Sequence, residues 1–210
     1  MSILPKNIDK AMPTSYMKFK EGDNKIRVLE SSVSGYVYWT FPESNKVVPR
    51  GDFGGKGSKP HRVADFSELD SPQRNGMKPF IAMVVYNYNE EGIQILEITQ
   101  SGVMNSLDAL SSNEKWGSLK DYDVTIRKTK TGPDPMNVEY SSILPDPKEP
   151  VSDEIKAEYK EKKIDMNIWF SGGDPFDTDS KGEIKVVDTP DLDGIDLDDL
   201  VKEVDKKSKK

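Results

Sequence analysis

Tyr36, Tyr38 and Trp39 stand almost side by side in Gly35-Tyr36-Val37-Tyr38-Trp39-Thr40-Phe41, and a basic, glycine-rich segment follows. Between Lys46 and Arg62 that segment holds Lys46, Arg50, Lys56, Lys59 and Arg62, with His61 beside them and only Asp52 against them. Flat rings next to cations on a flexible loop suit an unpaired nucleic-acid strand. Each base stacked on a ring contributes roughly 1–3 kcal/mol, and each cation displaces counterions from the phosphates. The same residues also fit an aromatic sandwich strand followed by a solvated loop.

Further cations belong to the same chemistry. Arg27 alternates with Ile26 and Val28, which places it on the side of its strand away from the core. Arg127, Lys128 and Lys130 crowd the end of Val124-Thr125-Ile126-Arg127-Lys128-Thr129-Lys130. Tyr86 and Tyr88 share a strand face with Phe80 and lie near a hairpin tip, where stacking on a base is possible.

Catalysis requires a nucleophile with a base, a metal nest or a fixed carboxylate pair. Cysteine is absent and histidine occurs once, so disulfides, thiolate metal sites and histidine zinc sites are not expected. The glycines of Gly51-Asp52-Phe53-Gly54-Gly55-Lys56-Gly57 fit neither a phosphate-binding loop nor a dinucleotide fingerprint. No enzymatic activity, cofactor or metal is expected.

These side chains must be positioned by short strands. Alternation predicts strands over 25–29, 36–41, 80–88, 92–99, 123–130 and 137–144, with turns at Asn89-Glu90-Glu91-Gly92 and Thr131-Gly132-Pro133-Asp134-Pro135. Val103, Leu107 and Leu110 predict one amphipathic helix over 100–112. Residues 42–77 read as a long loop, and Ile155 and Tyr159 mark a short charged helix over 151–163. This order predicts a mainly β fold. The expected form is an OB-like antiparallel barrel of five to six strands, with one helix before the last strand pair; a β-sandwich is the competing architecture. The expected organisation is a nucleic-acid-binding domain over 1–150, a short helical extension over 151–171 and a disordered acidic tail over 172–210.

The tail explains the charge. The chain nets −7, and residues 172–205 alone carry 12 acids against 3 bases before Lys206-Lys207-Ser208-Lys209-Lys210 closes it. The body is therefore nearly neutral, and acidity is no objection to a nucleic-acid partner. Leu192, Ile195, Leu197 and Leu200 interrupt the acids at positions where a partner protein could bind. No leader and no apolar run of membrane-spanning length is read in the sequence, so a soluble protein of the cytoplasm is expected.

Phe19-Lys20-Glu21-Gly22-Asp23-Asn24-Lys25-Ile26-Arg27-Val28-Leu29, Gly35-Tyr36-Val37-Tyr38-Trp39 and Ile95-Leu96-Glu97-Ile98-Thr99-Gln100 together resemble bacteriophage single-stranded DNA-binding proteins. Tyr122-Asp123-Val124-Thr125-Ile126 and Val138-Glu139-Tyr140 extend the likeness, which covers about residues 16–146. The resemblance implies an OB fold, binding of single-stranded DNA without sequence preference, and an acidic tail that engages replication or recombination proteins in the host cytoplasm. One departure is that this chain finishes on lysines and has no aromatic residue after Phe176. On this basis Tyr36, Tyr38 and Tyr86 are expected to stack bases. Arg27, Arg50, Lys56, Lys59, Arg62, Arg127, Lys128 and Lys130 are expected to follow the phosphates. The alternative is a protein-interaction adaptor of a replication complex that works through its acidic tail.

Overall fold

A computed structural model describes residues 15–30, 32–50, 52, 57–133 and 137–176. Its strands are β1 (Gly22–Val28), β2 (Val33–Thr40), β3 (Lys59–Val63), β4 (Lys78–Asn87), β5 (Gly92–Ile98), β6 (Asp123–Lys130) and β7 (Val138–Pro145). The helices are α1 (Ser71–Gly76), α2 (Ser101–Ser111) and α3 (Asp153–Lys162), with a 3₁₀ helix at Met166–Ser171. The protein is mainly β.

All seven strands join one antiparallel sheet, ordered β3-β2-β4-β1-β6-β7, with β5 also on β4. The long β4 organises it. Its first half pairs with β2 (Val37 opposite Lys78) and its second half with β1 (Arg27 opposite Tyr86), while β5 runs along the other edge. The sheet therefore splits into a β2–β3 arm and a β1–β6–β7 arm. Among the described residues no ladder joins the outer strands β3, β5 and β7 to one another, and the sheet is open. Part of the β5 edge is capped by the N-terminal segment, where Met17 N–H donates to Ile95 O and Ile95 N–H to Ser15 O, both at 2.9 Å.

Each face of the sheet is apolar, because successive side chains of the central strands point to opposite sides. On one face Ile26, Val28, Ile81, Met83, Val85, Leu96, Ile98, Val124 and Ile126 pack beneath Val103, Met104 and Leu107 of α2. On the other, Val33, Val37, Phe80, Ala82, Val84, Ile93 and Ile95 meet Met166 and Trp169. A third, smaller cluster holds Tyr36, Leu69 and Met77.

Two boundaries differ from expectation. Residues 42–77 contain β3 and α1, since Asp65 and Asp70 each cap a helical turn reciprocally with Glu68 and Gln73. Residues 151–176 are the cover of the second sheet face, and this cover extends past residue 171: Pro175 is buried and Phe176 packs edge-on against Tyr16. Gly35 shows how tightly the cover and β3 close in, because a Cβ there would collide with Val63 O and press on Phe170.

Candidate nucleic-acid interface

The β2–β3 arm carries the first candidate surface. Alternation turns Tyr38 away from Val37, and Tyr38 lies opposite His61 in the ladder. The two rings stack with centroids 5.0 Å apart and planes 14° from parallel. His61 Nε2 sits 3.0 Å from Thr40 Oγ1, and Gln73 Nε2 donates to the Tyr38 hydroxyl at 3.1 Å. Gln73 reaches the ring because the capped start of α1 fixes it there. Burial, and then the charge of Asp70, raise the Tyr38 phenol above its ordinary pKa, so the ring is neutral at physiological pH.

Lys59 stands opposite Thr40 in the β2–β3 ladder, and Val47 bridges Thr40 from the other side. Lys46 and Lys59 are thereby brought to either side of the end of β2, with Arg50 four residues beyond Lys46. All three are exposed, and none forms an ion pair among the described residues. Lys56 lies outside the described residues, as do Leu192, Ile195, Leu197 and Leu200.

Several expected site residues are placed elsewhere. Tyr36 is 6% exposed and buried against Leu69 and Met77, with Phe66 edge-on at 5.6 Å. The alternation that sets it beside Tyr38 holds, but the turn and helix at 65–76 roof that side of β2, so Tyr36 offers no stacking face. Arg27 is 3% exposed and ion-paired with Asp123, and its Nη1 donates to Glu149 O at 2.7 Å. It lies on the face opposite Ile26 and Val28, as alternation requires, but that face is a second apolar core rather than a solvent face, and Asp123 of β6 pairs with it there. Arg127 is exposed but bonded to Asp23 through both carboxylate oxygens, at 2.6 and 2.8 Å. Lys128 is half-buried and donates to Phe19 O at 3.1 Å, and Lys130 is exposed. Tyr86 is half-buried, packed edge-on against Tyr88 at 5.1 Å. The registers also separate these groups: Tyr38 projects from one face of the sheet, while Arg27, Tyr86 and Arg127 project from the other.

Arg62 belongs to a second feature on that other face. Its Nη2 donates to Glu97 Oε2 at 2.6 Å, and its guanidinium lies 4.0 Å from the centre of the Trp169 ring. Tyr16 stacks parallel to Trp169, with centroids 5.8 Å apart. Trp39 is half-buried rather than sealed in the core, with Lys78 Nζ 5.8 Å from its ring centre. Between these groups opens a cleft of about 480 Å³. Glu97 was legible as an acid sharing a strand face with Ile93 and Ile95, but nothing local linked it to Trp169, 72 positions later in the chain.

No protein-family model, curated protein or solved structure matches this chain. Among the described residues no helix is long and apolar enough to cross a membrane, and no group of three or more acidic or histidine side chains could hold a metal ion.

Proposed function

We propose that the protein coats single-stranded DNA without sequence preference, on an OB-like, partly open barrel, as bacteriophage single-stranded DNA-binding proteins do in replication and recombination. The observation that supports this most is the end of the β2–β3 arm. There Lys59 lies two residues from His61 on β3 and Lys46 flanks the end of β2, and among the described residues neither these lysines nor the exposed Arg50 form an ion pair. Cations held near rings and left without carboxylates attract phosphate while the rings receive bases. Because β3 is an outer strand, a polynucleotide can approach either face of the arm. The acidic segment after residue 176 then serves replication or recombination partners and competes with DNA for the same cations.

The test is a fluorescence titration with labelled oligo(dT), repeated with duplex of the same length and across a range of salt. If about 3 phosphates are neutralised, the log–log slope on single strands is near −2, at roughly −0.7 per phosphate. Equal affinity for duplex, or a response flat to salt, overturns the proposal.

A further inference from the structure

We infer that the cleft between Trp39 and Trp169 is a pocket for one unpaired nucleobase, which it holds by stacking and by the base's Watson–Crick edge. This rests on the single-strand binding proposed above and names a subsite for it. The cleft, at about 480 Å³, falls within the about 300–1,000 Å³ usual for small-ligand sites. It is lined by the Trp39 and Trp169 rings and by the Arg62–Glu97 pair, with the Arg62 guanidinium over Trp169, so Trp39 is the ring left for a base to stack on.

That pair selects against phosphate and for a base. Glu97 already neutralises Arg62, and its carboxylate repels a second anion. Among the described residues Arg62 Nε and Glu97 Oε1 are buried without a hydrogen-bond partner, one a donor and the other an acceptor. Leaving such groups unmade is unfavourable, so a ligand that satisfies them gains affinity. Glu97 keeps 20% of its side chain exposed and Arg62 keeps 14%, and a carboxylate turns readily about its last torsion. Every nucleobase presents an N–H and an acceptor side by side on its pairing edge: N3–H with O4 in thymine, N1–H with O6 in guanine, N6–H with N1 in adenine, N4–H with N3 in cytosine. An open acceptor and an open donor on one ion pair can therefore meet this pattern in any base, and only when that base is unpaired. Lys18, exposed at the rim, and Lys78, over the Trp39 ring, are placed for the flanking phosphates.

The experiment compares oligo(dT) with an oligomer of N3-methylthymine of equal length. The methylated strand keeps its ring faces and its phosphates but loses the N–H that Glu97 would accept. Anisotropy titration of the full chain is expected to show the methylated strand bound about tenfold more weakly or worse. Trp39→Leu is expected to lower oligo(dT) affinity at least fivefold, with the thermal midpoint confirming the fold. Glu97→Gln keeps an oxygen for Arg62 but turns the open acceptor into an N–H donor, so it is expected to bring the two strands to similar affinity. Equal binding of both strands by the unmodified protein overturns the pocket and leaves the coating function standing. No binding of oligo(dT) overturns both.

Discussion

The β2–β3 arm and the β1–β6 pair both set cations beside tyrosines, those of the second being Tyr86 and Tyr88 at the adjoining end of β4, and they differ in where the carboxylates fall. In β1–β6, antiparallel pairing sets Arg27 opposite Asp123 and Asp23 opposite Arg127. Lys25 is also drawn in, 2.7 Å from Asp146 and 3.1 Å from Asp123, and the Tyr88 hydroxyl donates to Asp123 at 3.1 Å. Every one of these cations has an anion. In the β2–β3 arm the ladder sets Lys59 against Thr40 and His61 against Tyr38, and among the described residues Arg62 is ion-paired with Glu97 while Lys59 has no ion pair. A cation is available to a ligand only where the neighbouring strand has not already neutralised it.

The largest effects that could break this contrast are on stability. Arg27→Met leaves Asp123 buried without its main partner, which costs about 3–5 kcal/mol of unfolding free energy. Tyr36→Ala opens a cavity with a similar loss of about 3–5 kcal/mol. Urea unfolding should show both losses, while oligonucleotide affinity measured well inside the folded range stays near wild type. A stable Arg27→Met protein that no longer binds DNA would instead make β1 part of the interface.

Next in size, Tyr38→Ala is expected to weaken oligo(dT) binding by about 1–3 kcal/mol while the midpoint of unfolding moves little. If its loss of stability matches that of Tyr36→Ala, the Tyr38 ring is structural and the contrast within β2 disappears.

A smaller effect compares cations directly. Lys59→Ala should make the salt dependence shallower by about 0.7 in log–log slope, the share of one phosphate, whereas Arg127→Ala should leave the slope unchanged. Equal changes from both would mean that Asp23 yields Arg127 to DNA.

The smallest expected effects at neutral pH lie in the paired region. Lys25 is held up to about 12, mainly by its bond to Asp146 and also by Asp123, against an ordinary 10.5. A raised folded value means that its contribution is complete below the ordinary pKa and disappears as pH rises through about 12. Burial pushes the Tyr122 phenol up to about 12 from 10.0, with the same sign. Stability should therefore be flat near neutral pH and fall between pH 10 and pH 12, as denaturant midpoints at stepped pH would show. At the acid end, Asp23 is held below its ordinary 3.8 by Arg127, so that pair's contribution persists above this value and vanishes below it. Because both side chains of the pair are about half open to solvent, which screens them, the acid effect should be slight. A steep loss of stability between pH 7 and pH 9 would contradict this assignment.

Much of the sheet was legible in alternation alone. Ile26 and Val28, Val37 and Trp39, and Ile93 and Ile95 fall on the sides their spacing assigned, and α2 spans nearly the residues its apolar stripe marked. The helix around Ile155 and Tyr159 was also visible. The segment 42–77 was not, because its short strand contains Pro60 and its helix is only six residues long. Neither offers enough periodic residues to register as an element.

The sequence by itself determined which residues share a strand face, since a side-chain period of two is a local property of the chain. It also concentrated the negative charge in residues 172–205 and brought rings and cations together at the β2–β3 arm. Only the tertiary structure decided which cations are already spent. Asp123 meets Arg27, and Glu97 meets Arg62, through pairings 96 and 35 positions apart. It likewise decided that Tyr36 is roofed while Tyr38 keeps a stacked partner, and that Trp169 and Trp39 line one cleft. Burial and ion pairing depend on what the rest of the chain lays over a face, and alternation within one strand holds no record of that.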